Sequence, residues 1–405
     1  MADLIATYSF RPRADTTPES AAQALAEEET TGTWTEISTT TGYVRRLDGV
    51  VESVEPHGNG YLTRICYPAE IFEPGNIPQY LSVFAGNLFG LGRLDAVRLL
   101  DIDVPGPLVA PFPGPRFGME GVRRLVGTTD RPHVGTIIKP KVGLTPKDTA
   151  AVAYQAAIGG VDLIKDDETL TDQAFCPLAD RVAEVMDRLD EARSETGHPV
   201  LYAVNITTRA DRIRERARTA IEHGANMLMI DVLTAGFDAI RAIAEDPSFR
   251  VPIHVHRTMH AAMTRNPEHG IAMRPFARLV RMVGGDQLHT GTASGKMGGG
   301  PVEEIVGDNR ALTSPFYGLR PIFPVSSGGL HPGKVASEIA ALGTDIVLQA
   351  GGGIHGHPDG TAAGARAMRQ AVDAAMQGVP AEEYAKDHVE LARALERWGA
   401  SPGRS

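Results

Sequence analysis

The chain is nearly without cysteine. Cys66 and Cys176 are the only two in 405 residues, and their spacing fits no metal-binding pattern. So little cysteine suits a reducing compartment. No apolar run is long enough to cross a bilayer, and no charged-then-apolar leader opens the sequence. A cytoplasmic protein with no membrane partner is the expectation. Positive charge is also in deficit. Forty Lys and Arg stand against 50 Asp and Glu, a formal net charge of -10. That balance argues against nucleic acid and acidic membranes as general partners. An acidic chain that takes an anionic substrate must gather its cations locally.

At 405 residues the chain exceeds one ordinary domain and has room for a barrel beside a smaller domain. The first third mixes helix and strand signals. Residues 4–11 read as a strand. Thr17-Pro18-Glu19-Ser20 reads as a helix start, with 21–28 following. Residues 44–55 and 61–67 read as strands around a Pro56-His57-Gly58-Asn59-Gly60 turn. Residues 77–88 look helical and 96–104 extended. The Pro/Gly-rich stretch 105–118 reads as a connection. The expectation is an N-terminal α+β domain over 1–120 and a second domain over 121–405 that ends in a helix at 382–398.

Past Pro132 short apolar runs alternate with amphipathic helical stretches such as 178–195, 211–223, 332–342 and 362–376. The candidate strands are 134–138, 161–164, 200–206, 227–232, 253–256, 287–290, 322–325 and 346–349. Intervals of roughly 25–40 residues suit a strand-helix repeat. Eight repeats suggest a (β/α)8 barrel, although periodicity alone also allows a doubly wound sheet. Polar residues favour the barrel. Just past nearly every strand stand Lys, Asp, Glu, Asn, His or Gly-Gly, and barrel enzymes build their sites at that end.

The densest such cluster is Gly159-Gly160-Val161-Asp162-Leu163-Ile164-Lys165-Asp166-Asp167-Glu168. An apolar run ends abruptly in a lysine and three acids. Strand alternation points Lys165 and Asp167 the same way. A lysine beside carboxylates is either a plain ion pair or an amine that has taken up CO2 as a carbamate. A carbamate would offer an anionic oxygen, so three oxygens would face a hard cation such as Mg2+.

Other strand ends carry further candidates. Lys139-Pro140-Lys141 places two lysines at the first, either solvated or able to hold an enolate oxygen and move a proton. His254-Val255-His256-Arg257 follows the fifth. Its histidines read as core residues, as zinc ligands with His260, or, preferred here, with His256 as base or phosphate ligand and Arg257 as phosphate ligand. The sixth ends in His289 and a glycine-rich run through Lys296 to Gly300. That run does not match GxxxxGK[ST] and reads as a loop, or as a lid carrying Lys296. Ser326-Ser327-Gly328-Gly329 and Gly351-Gly352-Gly353 close the last two strands, where barrels commonly offer backbone amides to phosphate.

Taken together and in order, these segments resemble the ribulose-bisphosphate carboxylase (RuBisCO) large-subunit superfamily from about residue 4 to residue 398. Residues 257–270 (RTMHAAMTRNPEHG), 323–332 (FPVSSGGLHP) and 349–360 (QAGGGIHGHPDG) look most like the archaeal form III carboxylases. Residues 162–168 and 201–207 also look like RuBisCO-like proteins. The resemblance implies a (β/α)8 TIM barrel behind a smaller ferredoxin-like α+β domain. It implies Lys165 as the carbamylated lysine, with Asp167 and Glu168 completing the Mg2+ ligands. Lys139 would act in enolisation and protonation beside Lys141, and His256 in hydration and proton transfer. Arg257, His289, Ser327, Gly329, Gly351 and Gly352 would hold phosphate and sugar oxygens, and Lys296 the incoming carboxylate. Glu28, Thr33, Trp34 and Asn87 match residues lent by a partner subunit, which implies a homodimer or higher homo-oligomer with sites at the interface.

The implied reaction joins ribulose 1,5-bisphosphate, CO2 and water into two 3-phosphoglycerates through an enediolate. Ile137 stands where many members carry threonine, and Gly298 where plant-type enzymes carry an acid, yet no main ionisable position is missing. The alternative is a RuBisCO-like enolase, isomerase or decarboxylase on another phosphorylated ketose or oxo-acid. A non-catalytic binding protein would have no need of charged groups at so many strand ends.

Overall fold

The computed structural model describes residues 2–32, 35, 37–294 and 301–400. Two compact units divide them. One takes in residues 1–113 and 259–282, the other 114–258 and 283–405.

The first unit is built on a five-stranded sheet. Its strands are β1 (Leu4–Pro12), β2 (Val50–His57), β3 (Gly60–Tyr67), β4 (Leu94–Asp103) and the short β10 (Gly270–Ile271), in the order β10-β4-β1-β3-β2. In β1, Leu4, Ala6, Tyr8 and Phe10 are buried and the intervening residues are less so. This is the period-two pattern of a sheet with one core face. The helix Pro18–Glu28 starts at Thr17, whose side chain accepts from the Ser20 N–H, and buries Ala21, Ala22, Leu25 and Ala26. With the second helix, Ile77–Ala85, the chain order is βαββαβ and the order β4-β1-β3-β2 is antiparallel throughout. This is the ferredoxin-like arrangement. β10 joins its edge in parallel to β4, so residues 259–282, expected with the barrel, group with this sheet.

Two local expectations fail here. Residues 44–47 form a 3-10 turn instead of strand, closed by the Arg46 N–H on the Tyr43 carbonyl at 3.0 Å, and Gly49 then passes close to the helix. A Cβ at Gly49 would lie 2.5 Å from the Ala26 carbonyl oxygen. The helix expected to reach residue 88 stops at Ala85, and Asn87–Gly90 tightens into a 3-10 turn.

The second unit is a closed barrel of eight parallel strands. They are β5 (His133–Ile137), β6 (Leu163–Lys165), β7 (Leu201–Asn205), β8 (Met227–Asp231), β9 (Ile253–His256), β11 (Gln287–His289), β12 (Phe323–Ser327) and β13 (Val347–Ala350). The order is β11-β12-β13-β5-β6-β7-β8-β9. Every one coincides with an expected strand, so the doubly wound alternative falls. The strands are legible because both faces are buried and they read as nearly continuous apolar runs. The helix Gly118–Val126 packs Val122 and Val126 into one cluster with Leu163, Leu201, Met227, Phe323 and Val347 near the strand starts. That end is filled with side chains, which leaves the opposite end for chemistry.

The C-terminal helix is broken. Ala381–Tyr384 and Val389–Trp398 are separate, joined by a 3-10 turn. His388 adopts an extended conformation at the break, and its ring stacks on Tyr384 at 3.9 Å. Among the described residues no helix is long and apolar enough to cross a membrane.

Asp162, just before β6, ties the barrel's start together. It accepts from Arg131 at 2.6 and 2.7 Å, from the Val134 N–H at 2.8 Å and bonds His198 Nε2 at 2.9 Å. Burial opposes its charge, yet Arg131 and His198 outweigh burial and hold the carboxyl far below its usual range. A lowered native pKa contributes stability above the unfolded value, near 4, and that stability is lost as pH falls. Asp162→Asn is therefore expected to lower the urea-unfolding free energy by about 3–5 kcal/mol at pH 7. The gap to the parent should narrow steadily below pH ~4.

Candidate active site

Strand β6 ends at Lys165, and the three acids after it part ways. Asp166 turns to the buried side. Tyr202 donates to it at 2.5 Å, Arg181 Nη2 at 3.1 Å and the Asn205 N–H at 3.0 Å. Arg181 and Asp166 are both fully buried. Burial, then the Asp166 charge, pushes Tyr202 well above an ordinary phenol, so it remains a donor. The Asn205 side-chain amide also donates to the carbonyls of Asp167 and Glu168, at 3.3 and 3.2 Å. This framework fixes the backbone from which Lys165, Asp167 and Glu168 project.

Lys165 is 1% exposed, with Nζ donating to the Asp166 carbonyl at 2.8 Å and 3.6 Å from Glu168 Oε2. Burial pulls its pKa below the normal lysine value, against the opposing pull of Glu168 and Asp167. Asp167 is equally buried. Its Oδ2 accepts from Lys139 Nζ at 2.8 Å, and its Oδ1 from the Thr169 hydroxyl at 2.9 Å. Glu168 Oε1 lies 3.5 Å from Lys141 Nζ. Burial works against the Glu168 charge, but Lys165, His256 and Lys141 together hold that carboxyl down at about 2. Lys139 and Lys141 thus reach the cluster from the neighbouring strand end, β5.

His256 joins from β9. Its Nδ1 bonds Asp231 Oδ1 at 2.7 Å, and its Nε2 stands 3.8 Å from Glu168 Oε2. Burial, reinforced by Lys165, lowers its pKa despite Asp231. The tautomer in which Nδ1–H donates to Asp231 leaves the Nε2 lone pair toward the cluster. Asp231 escaped the sequence reading. Its signal was there, a lone acid inside the apolar run 227–233.

His254 is a core histidine. Nδ1 bonds Gln287 Oε1 at 2.7 Å and Nε2 bonds His289 Nε2 at 2.8 Å. With both nitrogens engaged inside the barrel it is not a zinc ligand. His289 continues the chain, with Nδ1 bonded to Ser327 Oγ at 2.6 Å. Burial and the neighbouring His256 hold it well below the usual imidazole value. Both nitrogens of His289 are therefore taken, and Ser327, half-buried, is the outer end of this chain.

Arg257 lies against the loop after β11. A Cβ on Gly291, which has φ +105°, would be 2.8 Å from Arg257 Nη2. Burial lowers the Arg257 pKa to about 10, which leaves it a cation at neutral pH. Gly351 packs on Lys139 in the same way, since a Cβ there would lie 3.2 Å from Lys139 Cε. Gly329 and Gly352 are exposed beside Ser327 and Gly351 in their loops. The barrel-end candidates thus form one surface of cations, carboxylates and backbone.

In the first unit, Glu28 and Asn87 are both exposed. Their segments meet, because the Asn87 N–H donates to the neighbouring Glu29 carboxylate. Thr33, Trp34 and Lys296 lie outside the described residues.

The chain is similar to known proteins over nearly its whole length. The model for the ribulose bisphosphate carboxylase large chain catalytic domain matches residues 118–398, and that for its N-terminal domain matches residues 1–108. A ribulose bisphosphate carboxylase of Pyrococcus abyssi is 44% identical over 98% of this chain and 93% of its own length. One from Methanocaldococcus jannaschii is 44% identical over 94% of each chain. The octameric Rubisco of Pyrococcus horikoshii, crystallised with sulfate, superposes with a TM-score of 0.93 at 43% identity, covering 99% of this chain and 95% of that one. The dimeric archaeal Rubisco of Hyperthermus butylicus gives 0.90 at 39% identity, over 99% and 96%.

The Asp166 framework has a measurable signature. Arg181→Met strands a buried carboxylate and is expected to lower stability by about 3–5 kcal/mol. Tyr202→Phe removes one donor and should remove only about 1–2 kcal/mol. Chemical denaturation of both variants checks the order, and equal effects would contradict it.

Proposed function

Because the chain belongs to the ribulose bisphosphate carboxylase large-chain family, we propose that it converts ribulose 1,5-bisphosphate, CO2 and water to two 3-phosphoglycerates. The observation that carries this reading is Lys165, an amine buried between carboxylates and drawn toward its neutral form. Only a neutral amine attacks CO2, with a proton leaving as the carbamate forms.

Among the described residues no three His, Cys, Asp or Glu side chains gather to hold a metal ion. The donor set nevertheless fits Mg2+. Asp167 and Glu168 supply two carboxylates, and a carbamate at Lys165 would supply the third anionic oxygen while removing a cation from between them. When bound, Mg2+ would polarise the substrate's oxygens and offset their developing negative charge.

The chain's own groups take the remaining work. Lys139, held by Asp167 and open at its outer side, moves protons at the substrate carbon and steadies the enediolate oxygens. Lys141 adds a second cation beside Glu168. His256, oriented by Asp231, accepts a proton at Nε2 during hydration. Arg257, Ser327 and the backbone around Gly329, Gly351 and Gly352 hold the phosphate and hydroxyl oxygens, with His289 behind Ser327. Lys296 meets the new carboxylate. Glu28, Thr33, Trp34 and Asn87 complete the site from a partner subunit, so the working form is a cytoplasmic homodimer or a larger homo-oligomer.

The test supplies Mg2+, 14C-bicarbonate and ribulose 1,5-bisphosphate and counts acid-stable label in phosphoglycerate. Label is expected from the parent and should disappear in Lys165→Ala. Lys139→Met is expected to lower turnover by at least about 100-fold. No label from folded, activated protein would overturn carboxylation, leaving enolisation, isomerisation or decarboxylation of another phosphorylated ketose or oxo-acid.

A further inference from the structure

Glu338 lies in the helix Val335–Leu342 that follows β12, and it is fully buried. A carboxylate in such a place needs donors for its oxygens. It has four. The Ser294 N–H and hydroxyl donate at 2.6 and 2.5 Å, the Ala293 N–H at 3.1 Å and the Ser326 hydroxyl at 2.7 Å. Lys334, one turn earlier, donates to the Ser294 carbonyl at 2.6 Å. Two loops that are separate in sequence, one after β11 and one ending β12, are therefore fastened to one buried side chain.

The fastening falls where the anion-holding groups are. Ser326 and Ser327 alternate across the strand end, so that Ser326 faces Glu338 while Ser327 faces His289. Gly328 and Gly329 follow at φ +118° and +76°. Thr292 Oγ1 donates to the Gly328 carbonyl at 3.4 Å, a weaker second link between the same loops. Bonds to an ionised acceptor are shorter and stronger than neutral ones, and four of them converging on one buried group resist displacement together.

We propose that Glu338 is a positioning residue for a phosphate-ester subsite formed by the ends of β11 and β12. It acts through Ser326 and the 293–294 backbone, setting where Ser327 and the Gly328-Gly329 backbone stand. It does not touch the reacting atoms. This rests on the functional reading above for the identity of the substrate, but not for the anion affinity itself.

Glu338→Gln tests it. The variant keeps the side chain's shape, loses the charge and turns an amide N–H2 toward donors. Two quantities are compared with the parent: KM for ribulose 1,5-bisphosphate and, by calorimetry, Kd for inorganic sulfate. Both are expected to rise roughly tenfold or more, the loss of one to two charge-assisted bonds. The 14C-CO2 retained at Lys165 with Mg2+ should be unchanged. Ser326→Ala should give a smaller rise, and Glu338→Asp should recover part of the loss. A merely structural role would instead lower melting temperature and carbamate retention with sulfate affinity intact, and that result overturns the proposal. So does folded Glu338→Gln with both constants within about twofold of the parent. Should Glu338→Gln fail to fold, Ser326→Ala combined with Ser294→Ala carries the same comparison. Sulfate affinity is read without turnover, so a protein that fixes no CO2 would still decide this question.

Discussion

The site rests on removing Lys165 from water. An ammonium that is 1% exposed at the end of a barrel strand is costly unless its charge is compensated. The fold supplies compensation without completing it. Glu168 stands 3.6 Å away and a backbone carbonyl 2.8 Å, yet burial still outweighs the opposing charges and lowers the lysine's pKa. Asp167 is drawn away to Lys139, and Glu168 is shared with Lys141 and His256. The lysine is therefore held among negative groups with its protonated form disfavoured by burial. A structural ion pair would be built the other way, with the best carboxylate geometry given to the buried cation.

That arrangement needs a rigid base, and much of the unit supplies it. Asp166, next to Lys165 in sequence, carries no chemistry. It anchors the turn through bonds from Arg181, Tyr202 and the Asn205 N–H. Asp231 does the same for His256, and Glu338 for the β11 and β12 ends. Three buried acids beside the site thus orient other groups. The reacting groups stand on this support, with Lys139 held by Asp167 at 2.8 Å and His256 by Asp231 at 2.7 Å.

Much of this was legible in the sequence. Parallel barrel strands are buried on both faces, so eight apolar runs stood out, and the polar residues after them marked the working end. The alternation at 165–168 separated Asp166 from its neighbours correctly. Where tertiary contact decides, the sequence was silent. Residues 44–47 follow a β-branched Val with two arginines and a leucine, yet they close into a 3-10 turn before Gly49 passes the Ala26 carbonyl. Residues 382–398 read as one helix, and only the Tyr384–His388 stack marks the break. Arg181 sits on a helix among other charged residues, where nothing local distinguishes a buried charge from a solvated one, whereas Glu338 is the lone charge of an apolar helix and its burial had a local signal. His289 read as a ligand, and its engagement with both His254 and Ser327 is visible only in three dimensions.

The most direct test of the central claim is a 13C NMR spectrum of the protein equilibrated with 13C-enriched CO2 and Mg2+. A carbamate carbonyl resonance that persists on removal of free CO2, and that is absent from Lys165→Arg, is the predicted result. No carbamate signal at saturating Mg2+, or a signal that survives the Lys165 substitution, would contradict the account.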